Sequence, residues 1–421
     1  MKLQKILSRL QKLHPKEIDL SLNRIQNLCN KLGNPQNFIK CISVVGTNGK
    51  YSTIQALRAI LKEANIKCNI YTSPHIQKIN ERFVYNNKEI SDEDLTKLLI
   101  HVEKINNGEP ITYFEILTAA YFFWAKQFRD NINIIESGLF HRFDATNIIN
   151  KNLASIITSI GLDHLDWLPK NEQTLEKIIF EKTSKLCNSN IIVARQSSKE
   201  TLNLIKKNIY SNKSNKIIFN ENYSYSFNEN DFIYYEDQFG SLKLPQPNIL
   251  GSFQIENIST AIATIRSLNL HVNDENIKKG ITKIQSVARL QEIKKGKLKD
   301  LCKNNKIYID GSHNPLGAKV LNEYLKSLNC KKHIILGMMA NKDHEKYISY
   351  FKNISSLTTI DIPNQPNAIK GIDLKKKLSR FQNIQFKNSI IEAITSCPIS
   401  ENDIILITGS LYLAGEVLNL N

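Results

Sequence analysis

The tightest constraint on how this chain can fold is a short run near its start. Ile42-Ser43-Val44-Val45 is apolar enough to be a buried strand, and Gly46-Thr47-Asn48-Gly49-Lys50 interrupts it with two glycines. Thr53-Ile54-Gln55-Ala56-Leu57-Arg58-Ala59-Ile60-Leu61 then takes up a helical period. Strand, glycine turn and helix in that order bring free backbone N–H groups and the positive end of a helix dipole to one point. A lysine beside that point neutralises negative charge, so the segment has the context of a phosphate loop. Taken alone, the same residues would also serve as an ordinary strand-to-helix turn with a solvated lysine. The pattern is not the common Gly-x-x-x-x-Gly-Lys-Ser/Thr, because Tyr51 separates Lys50 from the hydroxyl of Ser52.

The rest of the chain extends this unit. Two amphipathic helical patterns occupy the first part. Strand-like runs follow at Asn69-Ile70-Tyr71, Ile132-Asn133-Ile134-Ile135-Glu136, Ala154-Ser155-Ile156-Ile157-Thr158 and Ile191-Ile192-Val193-Ala194, several of them separated by helical patterns. This predicts an α/β fold: a phosphate-loop domain with a mostly parallel sheet and helices on both faces. Residues 223–244 depart from the pattern and read as a short antiparallel meander. A second α/β series begins near Lys306, with strands at Ile307-Tyr308-Ile309-Asp310, His333-Ile334-Ile335-Leu336-Gly337, Leu357-Thr358-Thr359-Ile360-Asp361 and Asp403-Ile404-Ile405-Leu406-Ile407. It predicts a smaller doubly wound, Rossmann-like domain. At 421 residues the chain exceeds what one core serves. The expected domains are 1–293 and 298–421, with Lys294-Lys295-Gly296-Lys297 as the hinge.

Composition excludes several classes. No stretch approaches the roughly 18 apolar residues of a membrane helix. The start, Met1-Lys2-Leu3-Gln4-Lys5-Ile6-Leu7, has neither the apolar core nor the cleavage site of a signal peptide, so a cytoplasmic protein is expected. The seven cysteines form no Cys-x-x-Cys pair, which argues against a disulfide framework and a thiolate zinc site. Net charge is +16, but the lysines are dispersed rather than gathered in a stripe. Nucleic acid is therefore not the expected partner, while small anionic ligands gain from the field.

Gly46-Thr47-Asn48-Gly49-Lys50-x-Ser52 resembles the phosphate loop of the Mur ligase superfamily. Within it, the chain is most similar to the folylpolyglutamate synthase and dihydrofolate synthase family. Ile18-Asp19-Leu20, Thr72-Ser73-Pro74-His75, Asn80-Glu81-Arg82 and Thr112-Tyr113-Phe114-Glu115 resemble family motifs in order. So do Glu136-Ser137-Gly138-Leu139, Arg142-Phe143-Asp144-Ala145-Thr146-Asn147, Ser159 to His164 and Glu181-Lys182. Gly251 to Asn257, Arg289-Leu290, Asp310 to Pro315, Asn341-Lys342-Asp343 and Thr408 to Glu416 complete the set across nearly the whole chain.

The resemblance implies an ATP-dependent carboxylate–amine ligase. It would join L-glutamate to dihydropteroate, to reduced folates, or to both, through an acyl phosphate. It implies ATP contacts at Gly46, Thr47, Asn48, Gly49, Lys50, Tyr51, Ser52, Thr53, Asn257, Arg289 and Asp310, and magnesium ligands at Ser52, Ser73, Glu136 and His164. Pterin or folate contacts would come from Ile18, Asp19, Leu20, Thr112, Tyr113, Phe114, Glu115, Phe143, Asp144 and Ala145. Catalytic roles fall to Lys50, Lys182 and His313, and Lys182 matches a lysine carbamylated in the family; a surface lysine on a helix is its blander reading. A monomer is expected. Two other readings stay open: a Mur-type cell-wall amino-acid ligase, and a catalytically weakened nucleotide- or folate-binding relative. The second is motivated by Tyr51 and Phe140-His141, which, like Ser21, stand where the family usually has glycine. A positive φ at Tyr51 would cost roughly 1–2 kcal/mol, and Phe140-His141 add bulk beside Glu136.

Overall fold

The computed structural model describes residues 2–16, 19–228, 232–302, 304–381 and 383–421; Ile18, expected at the substrate, lies outside the described residues. The chain forms two compact units, Met1–Asn248 with Ile255–Ile284, and Ile249–Gln254 with Gln285–Asn421. The main change of unit therefore comes at Gln285, ahead of the expected hinge. The polar stretch from Lys294 to Lys297 belongs to the second unit, where the C-terminal Asn421 holds it: its side-chain amide donates to Lys295 O at 3.0 Å and accepts from Leu298 N at 3.1 Å. Lysine and glycine there look like a linker because their backbone is satisfied by a residue more than a hundred positions away.

The first unit is built on an eight-stranded sheet. Its spatial order is Lys88–Glu89, Phe83–Tyr85, Cys68–Tyr71, Ile132–Glu136, Lys40–Val45, Ala154–Ile157, Asn190–Val193 and Lys216–Ile218. The last six are parallel neighbours, and the first two add an antiparallel hairpin. Lys40–Val45 is buried from Cys41 onward, which is why it reads as a continuous apolar run rather than an alternating one. The chain leaves this central strand toward one edge and later returns on its other side. The carboxyl ends beside it thus form the crevice where open α/β sheets take ligands.

Helices cover both faces. Lys2–Leu10, Asn23–Lys31, Asp92–Asn106 and Tyr113–Ala125 bury a cluster around Tyr71, Phe83 and Tyr121. The helix after the phosphate loop, Lys50–Glu63, lies against Asp274–Ile281, and its buried face runs almost all the way round. The expected meander is a three-stranded antiparallel sheet of Tyr223–Phe227, Ile233–Asp237 and Gly240–Leu244.

The second unit has a six-stranded sheet in the order Gln291–Glu292, Lys306–Ile309, Ile404–Thr408, Lys332–Leu336, Ser356–Ile360 and Ile384–Lys387, parallel except for its first member. One apolar cluster gathers around Leu336, Leu357 and Leu406, and another around Ile335, Ile360 and Ile407. Alternate residues of the same strands feed the two clusters, as a sheet covered on both faces requires. Among the described residues, no helix is long and apolar enough to cross a membrane.

Gly280 sets the distance between the phosphate-loop helix and its neighbour. A Cβ at this position would stand 2.6 Å from Ile60 Cα and 2.9 Å from Ile60 N. Alanine would gain about 1 kcal/mol in helix propensity, but the obstacle is backbone, which cannot rotate away. Gly280→Ala is therefore expected to lower unfolding free energy by roughly 1–3 kcal/mol, read as a lower urea midpoint; an unchanged midpoint would mean that the helices separate freely.

Candidate active site

The phosphate loop is shaped by two backbone positions that only glycine fills. Gly46 has φ +148°, and a Cβ there would collide with Thr158 Oγ1; Gly49 has φ +88°, and a Cβ would collide with Asn257 Oδ1. The loop thus runs close against the end of the neighbouring strand on one side and against the helix Phe253–Ser267 on the other. Ser159 O accepts from Thr47 N at 2.9 Å and Asn48 N at 3.1 Å, while Thr47 Oγ1 donates to Gly161 O at 3.1 Å. These bonds clamp the loop to the segment that follows Ala154–Ile157. The sequence marks 159–164 as a motif, but gives no sign that its backbone grips residues 47 and 48.

Tyr51 sits in the first turn of the helix, and the positive φ values of the loop belong to Gly46 and Gly49. Tyr51 has no positive φ, so the strain that one would bring does not arise. Phe140 is buried and packs with Val45, Ile157, Ile160 and Ile178. His141 is buried too, with Nδ1 2.9 Å from Ser137 Oγ. The bulk that replaces two glycines fills core volume.

Four candidate metal positions stand at or just beyond the carboxyl ends of four adjacent strands. Ser52 follows Lys40–Val45, Ser73 follows Cys68–Tyr71, Glu136 ends Ile132–Glu136, and His164 follows Ala154–Ile157. Glu136 Oε2 accepts from Ser73 N at 3.1 Å, and its Oε1 lies 3.7 Å from Lys50 Nζ. Lys50 Nζ also donates to Gly46 O at 3.2 Å and Thr47 O at 3.4 Å. Among the described residues, no group of three or more His, Cys, Asp or Glu side chains could hold a metal unaided. A hydroxyl, a carboxylate and few other protein ligands suit magnesium, which completes its shell with phosphates and water.

Lys182 lies beneath this crevice, wholly buried on Leu175–Thr183. Its Nζ donates to Gly46 O at 3.0 Å and to Leu139 O at 2.9 Å. It is no surface lysine. Burial, reinforced by Lys50, brings its pKa down to about 7. Burial and Lys182 together lower His141 to about 3, so that imidazole is neutral.

The substrate-side residues form a second, connected set. Arg24 holds Asp19 Oδ2 at 2.8 Å and Glu115 Oε2 at 3.0 Å, tying two candidate segments together. Nothing in the sequence singles out Arg24. Glu115 also accepts from Thr112 N at 2.8 Å in a capping box that starts the helix Tyr113–Ala125, so this pair has a structural duty. Its other oxygen is buried with no hydrogen-bond partner. Asp144 accepts from Gly138 N and Thr146 N, each at 2.9 Å, and burial raises its pKa to about 6 against these bonds. Tyr113 packs partly buried, Phe114 stacks near Tyr71, Ala145 is buried, and Leu20 and Phe143 border a surface cleft.

Three further candidates come together in the second unit. Asp310 accepts from Leu290 N and Ser312 N, each at 2.7 Å, and burial holds its pKa up despite Arg289 nearby. Arg289 is flanked by Ala288 and Leu290, both with positive φ, a costly conformation of the kind that accumulates at functional sites. His313 Nδ1 lies 3.0 Å from Gly311 O.

A phosphate loop at the crevice of a parallel sheet, followed by a second α/β unit, is the architecture of an ATP-dependent ligase of the Mur class. The Mur ligase middle domain matches residues 44–265, and the Mur ligase, glutamate ligase domain matches 289–411. A dihydrofolate synthase/folylpolyglutamate synthase of Bacillus subtilis is 30% identical over 94% of each chain. Escherichia coli FolC, solved in complex with DHPP and ADP, has a TM-score of 0.86 and 27% identity, covering 99% of this chain and 97% of that one. A Yersinia pestis bifunctional folylpolyglutamate synthase/dihydrofolate synthase, complexed with AMPPNP and Mn ion, has the same TM-score at 24% identity, over 99% of this chain and 97% of its own, and attests the fold. The chain belongs to the dihydrofolate synthase/folylpolyglutamate synthase family of Mur ligases, and the cell-wall reading falls away.

The depressed pKa of Lys182 makes stability depend on pH. Above the ordinary lysine pKa neither state is protonated, and the shift contributes nothing. As pH falls toward 7 the unfolded chain takes up a proton that the folded chain refuses, and stability drops; below 7 both hold it and the loss is complete. Relative to Lys182→Met, wild type should thus gain stability between pH 7 and 9, by at most about 1.4 kcal/mol per pH unit. Denaturant curves at matched pH would measure it, and a pH-independent difference would contradict it.

Proposed function

We propose that the chain joins L-glutamate to dihydropteroate, to reduced folates, or to both, with ATP as phosphoryl donor. A substrate carboxylate oxygen attacks the γ-phosphorus, the bond to the ADP oxygen breaks, and an acyl phosphate results. The glutamate amine then attacks the carbonyl carbon, loses a proton, and expels phosphate. The observation that carries this reading is the convergence of the phosphate loop, Ser73, Glu136 and His164 on the ends of four adjacent strands, in a chain of this family.

Phosphoryl transfer mainly needs positioning and charge neutralisation. The N–H groups at the start of Lys50–Glu63 and the Lys50 ammonium supply both, with Thr47, Asn48, Tyr51, Ser52 and Thr53 lining the loop and Asn257 beside Gly49. Magnesium, held by Ser52, Ser73, Glu136 and His164, would add positive charge where the transferred phosphoryl group gathers negative charge. Arg289 and Asp310 are assigned to the nucleotide and His313 to the ligation step. The strain seen as a reason for a weakened relative is not present at Tyr51. One chain contains every residue in the scheme, so a monomer suffices.

Purified protein should release ADP and phosphate only when ATP, glutamate and a dihydropteroate or folate substrate are all present. Lys50→Ala should cut kcat by about 100-fold or more, as loss of a transition-state charge contact does; silence of wild type with every such substrate would sink the reading. Lys182 near pKa 7 presents the neutral amine that reacts with carbon dioxide, and we assign it a carbamate. With labelled bicarbonate, a carbamate carbon resonance is expected in wild type and not in Lys182→Met; full activity without that resonance would remove the modification from the scheme.

A further inference from the structure

We propose that Trp167 is a specificity-determining wall of the substrate cleft, stacking on the aryl ring that bears the reacting carboxylate. The inference rests on the function proposed above. A cleft of about 170 Å³ opens between Leu20, Arg142, Phe143, Trp167 and Glu181. Phe143 and Trp167 are 36% and 37% exposed, and Phe180, close by, is 37% exposed. Two of these rings line the cleft and the third stands beside it, so partly exposed aromatic faces gather at one rim. Arg142 bridges two of them, its guanidinium 4.4 Å from the Phe143 ring centre and 5.1 Å from that of Phe180.

The charges at the rim are already matched. Arg142 Nε lies 2.8 Å from Glu181 Oε2, and Lys177 Nζ lies 2.8 Å from Glu172 and 3.5 Å from Glu181. Two cations face two carboxylates, leaving no net charge to recruit a glutamate tail. A flat, uncharged group is what aromatic walls inside a neutral rim accommodate. Position then selects which ring. Trp167 N donates to His164 O at 3.2 Å, so the wall is one turn from a candidate metal ligand. The helix that gives Glu181 to Arg142 gives Lys182 to Gly46 of the phosphate loop. The ring held here is therefore the one next to the phosphoryl end: in dihydropteroate, the aminobenzoyl ring rather than the pterin.

The test combines kinetics with fluorescence. Trp167→Ala should raise the KM for dihydropteroate on the order of ten-fold, the scale of a lost ring-stacking contact, with the KM for ATP unchanged, and Trp167→Phe should recover most of the loss. The chain has only two tryptophans, so pteroic acid added without ATP should quench wild-type emission far more than that of Trp167→Phe, in which Trp124 remains. An unchanged dihydropteroate KM in Trp167→Ala, an equal rise in the KM for ATP, or equal quenching in both proteins would overturn the assignment. Wild type that fails to turn over any pterin substrate would instead count against the function itself, and the quenching comparison would still decide whether Trp167 meets the ring.

Discussion

The close approach of the phosphate loop to its neighbours is the constraint on which the rest of the site depends. At Gly46 and Gly49 the backbone comes so near Thr158 and Asn257 that no side chain fits, and Ser159 O takes two of the loop's N–H groups. The loop is held before any ligand arrives, so its remaining N–H groups and Lys50 need little reorganisation to meet phosphate. Preorganisation of this kind is where electrostatic stabilisation gains most of its value. The same closeness explains why the strand must be central and parallel, because only flanking strand ends bring Thr158 and Glu136 beside it.

Beneath the loop, burial decides the chemistry of Lys182. An ammonium removed from water is costly unless it is paired with an anion, and Lys182 meets two carbonyl oxygens with Lys50 nearby. Desolvation outweighs the help of Asp163 and Asp144, and the amine loses its proton readily. His141 and Asp144, buried around it, are pushed toward neutrality as well. The floor of the site thus holds an amine whose charge is easily lost, beneath the Lys50 and Glu136 pair at the top of the strands.

Much of this was legible in the sequence. The apolar run ending at Val45, the glycines and the helical period fixed a strand, a turn and a helix, because each rests on local backbone preferences. The parallel sheets, the meander at 223–244 and the ordered family motifs followed from patterns of the same short range. Lys216–Ile218 and Ile384–Lys387, which the pattern does not show, are only three and four residues long, too short for a period, and pairing with a neighbour makes them strands.

Tertiary structure decided the rest, wherever the answer depends on what lies across a gap. Lysine, glycine and lysine at 294–297 signal a hinge by composition, yet the far end of the chain ties them down. Tyr51 and Phe140-His141 look disruptive beside a family pattern. The backbone places positive φ at the neighbouring glycines, and the core receives the rings. Arg24 and Trp167 belong to no local pattern; partners distant in sequence give them their roles. Sequence alone determined the fold and the phosphate loop, because periodicity and glycine act within a few residues. Only the folded chain settles burial, and with it the protonation of Lys182 and the neutrality of the aromatic cleft, because desolvation depends on every atom packed around a group.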